Sequence, residues 1–223
     1  MIVEICVEGI ASAIAAGVGG ADRIELCENL AVGGVTPSLG TLAYAAQHVP
    51  STIHALIRPR GGDFVYSRAE LQVMTNDLEL CQWQARGAVF GVLDESNRVN
   101  IAAMRALIKA ARPKSITFHR AFDIVRDPIE ALDTLIDLGV DRVLTSGRPG
   151  PARDSIDLLA KLVAHAGDRI TILAGGSVTP GDLPALANAG IREAHIGSAA
   201  CADGVCSQDR VAQIMAIARG LGV

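Results

Sequence analysis

The sequence predicts an α/β fold, a single (β/α)₈ TIM-type barrel that spans residues 1–223. Short apolar runs rich in β-branched residues alternate with segments of helical period, which indicates parallel strands joined by helices. One turn motif recurs along the chain, and eight strand-helix units fit into its length, as in a closed barrel. No linker, low-complexity run or change of composition divides the chain, so we expect one domain.

The recurring motif is a glycine followed by Asp-Arg and an apolar strand. It occurs in "GGADRIEL" (19–26), "LGVDRVLTSG" (138–147) and "HAGDRITILAGG" (165–176), with a looser copy in "NAGIREAHIG" (188–197). Glycine is favoured just past a helix, where the backbone becomes left-handed, so each copy marks a turn from a helix into a strand. Arg23 is therefore assigned to the turn and to the beginning of the second strand.

These turns place eight strands in order along the chain. We expect them at residues 3–6, 23–27, 53–58, 88–93, 115–119, 141–145, 170–174 and 193–197. Helical period is clear between them, for example in residues 127–138 and 180–189. An open doubly wound sheet is the rival arrangement, but the G-x-G-x-x-G turn typical of its nucleotide-binding members is absent after the first strand.

The composition excludes several function classes. The net charge of −4 and the 3% content of aromatic residues provide neither the basic field nor the stacking rings of a nucleic-acid-binding surface. No stretch approaches the ~20 apolar residues that span a bilayer, and the first ten residues do not resemble a secretory signal. We therefore expect a cytoplasmic protein without nucleic-acid or membrane partners. The five cysteines form no CxxC pair, which argues against a disulfide framework or a zinc knuckle.

Alternation along the first two strands separates polar from apolar side chains. Glu4 and Cys6 share one face of the first strand, and Glu25 and Cys27 share one face of the second. If the aliphatic residues between them face the helices, these acids and thiols face the barrel interior. The same alternation brings further polar residues to the inner face of their strands: Arg58, Thr117, His119 and His195. We expect this set to converge at the mouth of the barrel, where barrel enzymes place their sites.

These residues suit acid/base catalysis on a small anionic or phosphorylated substrate. In this interpretation Glu25 and His119 exchange protons, with Asp123 beside the histidine. Arg58 and Arg60, in "RPRGGDFVYS", hold the anion. The structural alternatives are a hydrogen-bonded strut at His119 and an ion pair between Arg60 and a neighbouring aspartate. A non-catalytic scaffold for a protein partner is the third interpretation.

Two glycine-rich loops follow the last two predicted strands. They are "AGGSVTPGD" (174–182) and "HIGSAA" (195–200). Backbone amides of such loops bind phosphate in many barrels, which predicts an anion site here. The candidate residues are Gly175, Gly176, Ser177, Gly197 and Ser198. Glycines at these positions also serve tight strand ends, so the structural alternative stays open.

Six blocks of the chain are long and specific: "VEICVEG", "GGADRIELCENL", "GGVTPSLG", "RPRGGDFVYS", "TFHRAFD" and "RVLTSG". Together they resemble the CutC family, which is named for copper homeostasis, and the resemblance extends from Ile2 to about Ala199. It implies a cytosolic (β/α)₈ barrel, often a homo-oligomer, that binds copper and no organic cofactor. The proposed copper ligands of the family match Cys6 and Cys27.

The chemistry of the two cysteines is compatible with that resemblance. Thiolates prefer Cu(I), and neighbouring strands lie ~4.8 Å apart, so two sulfurs at adjacent strand ends come within bridging distance of one ion. A hard divalent ion held by Glu4, Glu25 and His195 is the alternative. Cys201 and Cys206 are expected to be incidental thiols in a mobile segment.

Overall fold

The computed structural model describes residues 1–222 and shows a closed barrel of eight parallel strands. The predicted (β/α)₈ fold is confirmed. The strands are β1 (Ile2–Glu8), β2 (Arg23–Cys27), β3 (Thr52–Leu56), β4 (Gly87–Phe90), β5 (Ser115–Phe118), β6 (Arg142–Thr145), β7 (Thr171–Ala174) and β8 (Glu193–Ile196). The barrel closes because β1 pairs with β2 on one side and with β8 on the other.

A helix follows each strand and covers the outside of the barrel. The helices are α1 (Gly9–Val18), α2 (Leu39–His48), α3 (Arg68–Leu80), α4 (Ile101–Ala111), α5 (Pro128–Asp137), α6 (Ile156–Ala166), α7 (Leu183–Asn188) and α8 (Gln208–Gly220). Local sequence fixes where they begin: at α3, the Ser67 hydroxyl and the Glu70 carboxylate each accept the backbone N–H of the other residue. No helix among residues 1–222 is long and apolar enough to cross a bilayer.

Two predicted strands extend two or more residues too far at their C-terminal ends. Strand β3 ends before Arg58 because the Arg58 backbone pairs with Thr36, whose hydroxyl accepts the Arg58 N–H at 3.0 Å. Strand β4 ends at Phe90 because the chain then turns toward another loop, where Leu93 N donates to Phe64 O. At these positions the backbone bonds another loop instead of the neighbouring strand. The alternation of apolar and polar residues does not reveal this change, so the strand ends could not be predicted from it.

The segment predicted to be mobile near the C-terminus is instead ordered. Cys201–Ala202 (β9) and Val205–Cys206 (β10) form a short antiparallel hairpin. The Cys206 side chain is buried and belongs to the main hydrophobic core. The expectation of mobility was therefore wrong, because core packing by Cys206 holds the hairpin in place.

The aspartate of the recurring Asp-Arg motif ties neighbouring strands together. In the first two copies it accepts the N–H of a residue at the beginning of the preceding strand. Asp22 Oδ2 accepts from Val3 N, and Asp141 Oδ2 accepts from Ile116 N, both at 2.8 Å. Each aspartate thus satisfies a backbone donor at the N-terminal edge of the barrel, where the parallel ladder begins.

The arginine of the same motif enters the barrel in two copies. Arg23 is buried and Arg142 is half-buried, and both donate to Glu193. Arg23 begins β2, as the sequence predicts, and its buried side chain fills the barrel interior. In the third copy Arg169 is exposed and donates to carbonyls at the end of α6, including Ala166 O.

We predict that Asp141→Ala lowers the free energy of unfolding by about 1–3 kcal/mol, because it leaves the Ile116 N–H without its acceptor. Urea unfolding of the two proteins measures the difference. Asp168→Ala, at the equivalent position of the third copy, is the matched control and should change stability by less than about 0.5 kcal/mol. Equal effects of the two substitutions would show that the strand-capping bond contributes nothing.

Candidate functional site

A buried ion-pair network fills the N-terminal end of the barrel interior. Arg23 Nε donates to Glu4 Oε2 at 2.5 Å, and Arg23 Nη2 donates to Glu193 Oε2 at 2.6 Å. Arg142 Nε donates to the same Glu193 oxygen at 2.7 Å. Charges buried this deeply are tolerated only when they are paired, so the four side chains fix one another.

Glu4 connects this network to His195 on β8. Its second oxygen, Oε1, lies 2.7 Å from His195 Nδ1. Burial alone would raise the pKa of Glu4, but the hydrogen bond with His195 and the charge of Arg23 hold that pKa well below its usual range. Burial favours neutral His195, yet its bonds with Cys6 and Glu4 hold the pKa of the imidazole well above its ordinary value.

Cys6, Glu25 and His195 meet above the ion-pair network. One ligand atom from each residue lies within 4.8 Å of the other two. Cys6 Sγ donates to Glu25 Oε1 at 3.8 Å, and the other carboxylate oxygen of Glu25 is buried without a hydrogen-bond partner among the described residues. Burial raises the pKa of Glu25 to about 7, although the charge of His195 opposes this shift. The cluster therefore combines a thiol, an imidazole and a carboxyl group.

Cys27 reaches the same cluster from the next inward position of β2. Its thiol donates to Val7 O at 3.2 Å and interacts with Cys6. The hydrogen bond with Cys27, and then burial, raise the pKa of Cys6 well above the ordinary thiol value. Both cysteines are buried and pack with Leu56 and Val89 inside the barrel. The inward direction predicted for Cys6 and Cys27 is thus present, and the two sulfurs are neighbours.

His54, which was not among the residues predicted from the sequence, lies in the same interior. His54 is buried, its Nδ1 lies 3.9 Å from Glu4 Oε2, and burial lowers its pKa to about 4. A side chain at Gly87 would collide with it, since a Cβ there would lie 2.4 Å from His54 Nε2. The alternation of side chains along the strand could have predicted it. His54 stands four residues before Arg58, so the two side chains are expected on the same, inward face.

Arg58 lies at the C-terminal end of the barrel and is bound by backbone carbonyls. Nη1 donates to Val32 O at 3.2 Å and to Gly34 O at 3.0 Å, while Nη2 donates to Gly62 O at 2.7 Å. The guanidinium carbon lies 4.9 Å from the centre of the Phe64 ring. Arg58 thus holds the two loops that follow β2 and β3 against each other.

Arg60 belongs to the outside of the same loop. Its guanidinium is bound by Glu70 at 2.5 Å and Asp63 at 3.0 Å, and the side chain is 38% exposed. It also lies over the Tyr66 ring. These contacts agree with the structural alternative and account for Arg60 without a ligand, while anion binding by Arg60 stays a prediction.

His119 and Asp123 each make hydrogen bonds that stabilise a loop. His119 Nδ1 accepts the Ala121 N–H at 3.3 Å, which caps the short 3₁₀ turn after β5. The Asp123 carboxylate accepts four hydrogen bonds, from the Thr145 hydroxyl, the Ser146 hydroxyl and backbone N–H, and Arg120. These four donors occupy Asp123, and it fastens the end of β6 to the loop. Catalytic roles for His119 and Asp123 stay predictions.

The glycine-rich loops after β7 and β8 are closely packed. A Cβ at Gly175 would lie 2.5 Å from Leu144 Cδ1, and one at Gly176, where φ is +103°, would lie 2.7 Å from Ser146 Cβ. A Cβ at Gly197 would just contact Cys6 Cβ at 4.0 Å. Packing therefore explains the first two glycines without a ligand. Anion binding stays a prediction for the whole loop set: Gly175, Gly176, Ser177, Gly197 and Ser198.

Comparison with known proteins identifies the family to which this architecture belongs. The family model of CutC matches residues 1–201. The chain belongs to the CutC family. A human copper homeostasis protein cutC homolog is 43% identical over 204 residues, which are 91% of this chain and 75% of the human protein. A CutC family protein of Chromobacterium violaceum is 46% identical over 189 residues, 84% of this chain and 76% of that protein.

Solved structures give the same result for the fold. The crystal structure of the CutC protein of Streptococcus agalactiae matches with a TM-score of 0.84 at 33% identity, covering 89% of this chain and 98% of that one. More distant barrels, such as phosphoribosylanthranilate isomerase of Pyrococcus furiosus, match with a TM-score of 0.64 at 13% identity, covering 99% of each chain. At that identity the likeness concerns the fold alone.

In this CutC-family barrel we predict that His119 makes the fold acid-sensitive. Burial, and then the charge of Arg58, lowers the pKa of His119 from 6.5 to about 3. The unfolded chain therefore binds one more proton than the folded chain between these pH values, so stability falls as the pH drops below 6.5. His119→Asn keeps a capping acceptor and removes this proton site.

The measurement is urea unfolding of both proteins at several pH values. From pH 6.5 to pH 5 the wild type should lose about 2 kcal/mol more than His119→Asn, since each pH unit in this window corresponds to about 1.4 kcal/mol. Parallel pH curves for the two proteins would contradict a neutral, buried His119.

Proposed function

We propose that this chain binds one Cu(I) ion inside the barrel through the thiolates of Cys6 and Cys27 and the imidazole of His195. The proposal rests on one observation, the meeting of Cys6 and His195 ligand atoms within 4.8 Å with Cys27 interacting with Cys6. Sulfur and imidazole donors suit a soft monovalent ion. The human relative is named a copper homeostasis protein, which supports the same metal.

The orientation of His195 favours metal binding. Because Nδ1 is engaged by Glu4, the ring nitrogen left for a metal is Nε2. A carboxylate behind a ligating histidine is the usual arrangement in metal sites, since it fixes the ring and increases its basicity. Arg23 in turn holds Glu4, so the ion-pair network serves as the support of the proposed copper site.

The donor set does not suit the alternative of a hard divalent ion. Both Glu4 oxygens are engaged, one by Arg23 and the other by His195. Of the two carboxylates in that alternative, Glu25 alone keeps an oxygen without a partner. Ions such as Ca²⁺ take six or more oxygen ligands, so a cluster with one available carboxylate and two thiols favours Cu(I). A cytoplasmic location and a homo-oligomeric state stay predictions of the sequence.

The first test is competition of the reduced protein with a chromophoric Cu(I) chelator. Wild type should bind one Cu(I). Cys6→Ser and Cys27→Ser should each weaken binding by more than about 100-fold, because loss of a direct ligand exceeds the 10–100-fold effect of a supporting residue. Cys81→Ser is the matched control, since Cys81 is also a buried free thiol but lies at the end of α3.

The outcome separates a specific site from general thiol binding. Unchanged affinity in Cys6→Ser would reject the proposal, and so would an equal loss in Cys81→Ser. Circular dichroism of each variant verifies that the barrel is folded before the titration.

A second prediction concerns Glu4 as a positioning residue. Glu4→Gln should lower Cu(I) affinity by about 10–100-fold, because it weakens the bond that orients His195. Glu193→Gln is the control: it removes a carboxylate from the same ion-pair network, and Glu193 bonds Arg23 and Arg142 rather than His195. If both variants lose the same affinity, Glu4 acts through stability and not through the position of the imidazole.

A further inference from the structure

Arg58 is a buried cation that forms no salt bridge with any carboxylate in the described part of the chain. It is 5% exposed, and its three hydrogen bonds go to neutral backbone carbonyls. By contrast, the buried Arg23 is paired with two glutamates. Burying an uncompensated charge is costly, so a buried guanidinium without a counter-ion indicates a place for an anion.

Four polar atoms in this region lack a hydrogen-bond partner among residues 1–222 although they are fully buried. They are Arg58 Nε, Tyr66 Oη, Thr117 Oγ1 and His119 Nε2. Folded proteins satisfy nearly all buried polar groups, so each unpartnered atom requires an explanation. All four can donate: the Nδ1 atom of His119 accepts the Ala121 N–H, which leaves the ring proton on Nε2.

Arg58, Tyr66 and His119 are neighbours at the mouth of the barrel. Arg58 and His119 both contact the Phe64 ring, with distances to its centre of 4.9 Å from Arg58 Cζ and 4.8 Å from the His119 ring centre. The charge of Arg58 acts on Tyr66 and on His119, where it adds to the effect of burial in lowering the histidine pKa. Thr117 stands two residues before His119 and is also fully buried.

We propose that Arg58, Tyr66 and His119 form a binding site for a small monocarboxylate, with Thr117 as a further donor. The set offers donors and no carboxylate, which fits a ligand made of acceptors. The buried His119 is neutral, so Arg58 supplies the single positive charge of the set. One positive charge balances a singly charged carboxylate, whereas a phosphate dianion in the same buried place would keep one uncompensated negative charge.

The burial of the donor atoms means that a ligand must be small and that a side chain must move to admit it. All four donor atoms are shielded from solvent, whereas the Phe64 side chain, which contacts Arg58 and His119, is half-buried. We expect the Phe64 ring to swing aside when a ligand enters. The carbonyl groups of the loops after β2 and β3 already hold Nη1 and Nη2 of Arg58 in place. A ligand bound to Nε would therefore meet a guanidinium group whose position is fixed.

The test uses the full-length, metal-free protein with acetate and propionate as probes. A ligand that binds the folded state raises the melting temperature in proportion to its occupancy. Both probes should stabilise the wild type in a saturable manner, while chloride and inorganic phosphate at equal ionic strength should not. Isothermal titration calorimetry then gives the affinity for acetate.

Substitutions of Tyr66 and Arg58 test whether acetate binding depends on these donors. Tyr66→Phe removes only a hydroxyl that lacks a partner in the described structure, so it should fold normally and bind acetate about tenfold more weakly or worse. Arg58→Met should abolish binding. Arg98→Met is the control, because Arg98 is an exposed arginine in the loop after β4 that is paired with Glu130, and acetate affinity should be unchanged.

Three results would overturn the assignment. The first is the absence of stabilisation by acetate and propionate, the second is an unaltered acetate affinity in Tyr66→Phe, and the third is a stronger effect of phosphate than of acetate. The site does not depend on copper: acetate binding should persist in Cys6→Ser. Failure of one proposal therefore leaves the other intact.

Discussion

Glu4 is the group on which the barrel interior depends. It is fully buried, and each carboxylate oxygen has one partner, Arg23 on β2 and His195 on β8. A charge in this position requires both partners, which fixes the direction of each side chain. Because Glu4 engages Nδ1 of His195, Nε2 is the ring nitrogen left for a metal, and the proposed copper site depends on a carboxylate that does not itself bind the metal.

The Asp-Arg motif contributes both to the pairing of the strands and to the side chains in the barrel interior. Its aspartate accepts a backbone N–H at the beginning of a strand, and its arginine enters the interior at Arg23 and Arg142. Above this charged layer come the thiols and the imidazole, and at the mouth Arg58 is held by carbonyls. The buried charges at the N-terminal end of the strands are thus paired, whereas Arg58, at the C-terminal end where barrels bind their ligands, has no carboxylate partner among residues 1–222.

Strand periodicity was sufficient for the fold and for the inward direction of particular residues. The bounds of β2 and the burial of Glu25 and Cys27 follow from alternation in a stretch of five residues. Partners could not be predicted, because they depend on barrel closure: Glu4 and His195 are 191 positions apart in the sequence. The hydrogen bonds of Asp123 with Thr145 and Ser146 could not be predicted for a similar reason, since these two residues lie beyond the next helix.

X-ray absorption at the copper edge of the protein loaded with one Cu(I) tests the proposed copper site directly. We predict a first coordination shell of two sulfur atoms and one imidazole nitrogen, which loses one sulfur in Cys27→Ser and the imidazole contribution in His195→Ala. A shell of nitrogen and oxygen alone, or one that is identical in all three proteins, would contradict a copper site in the barrel interior.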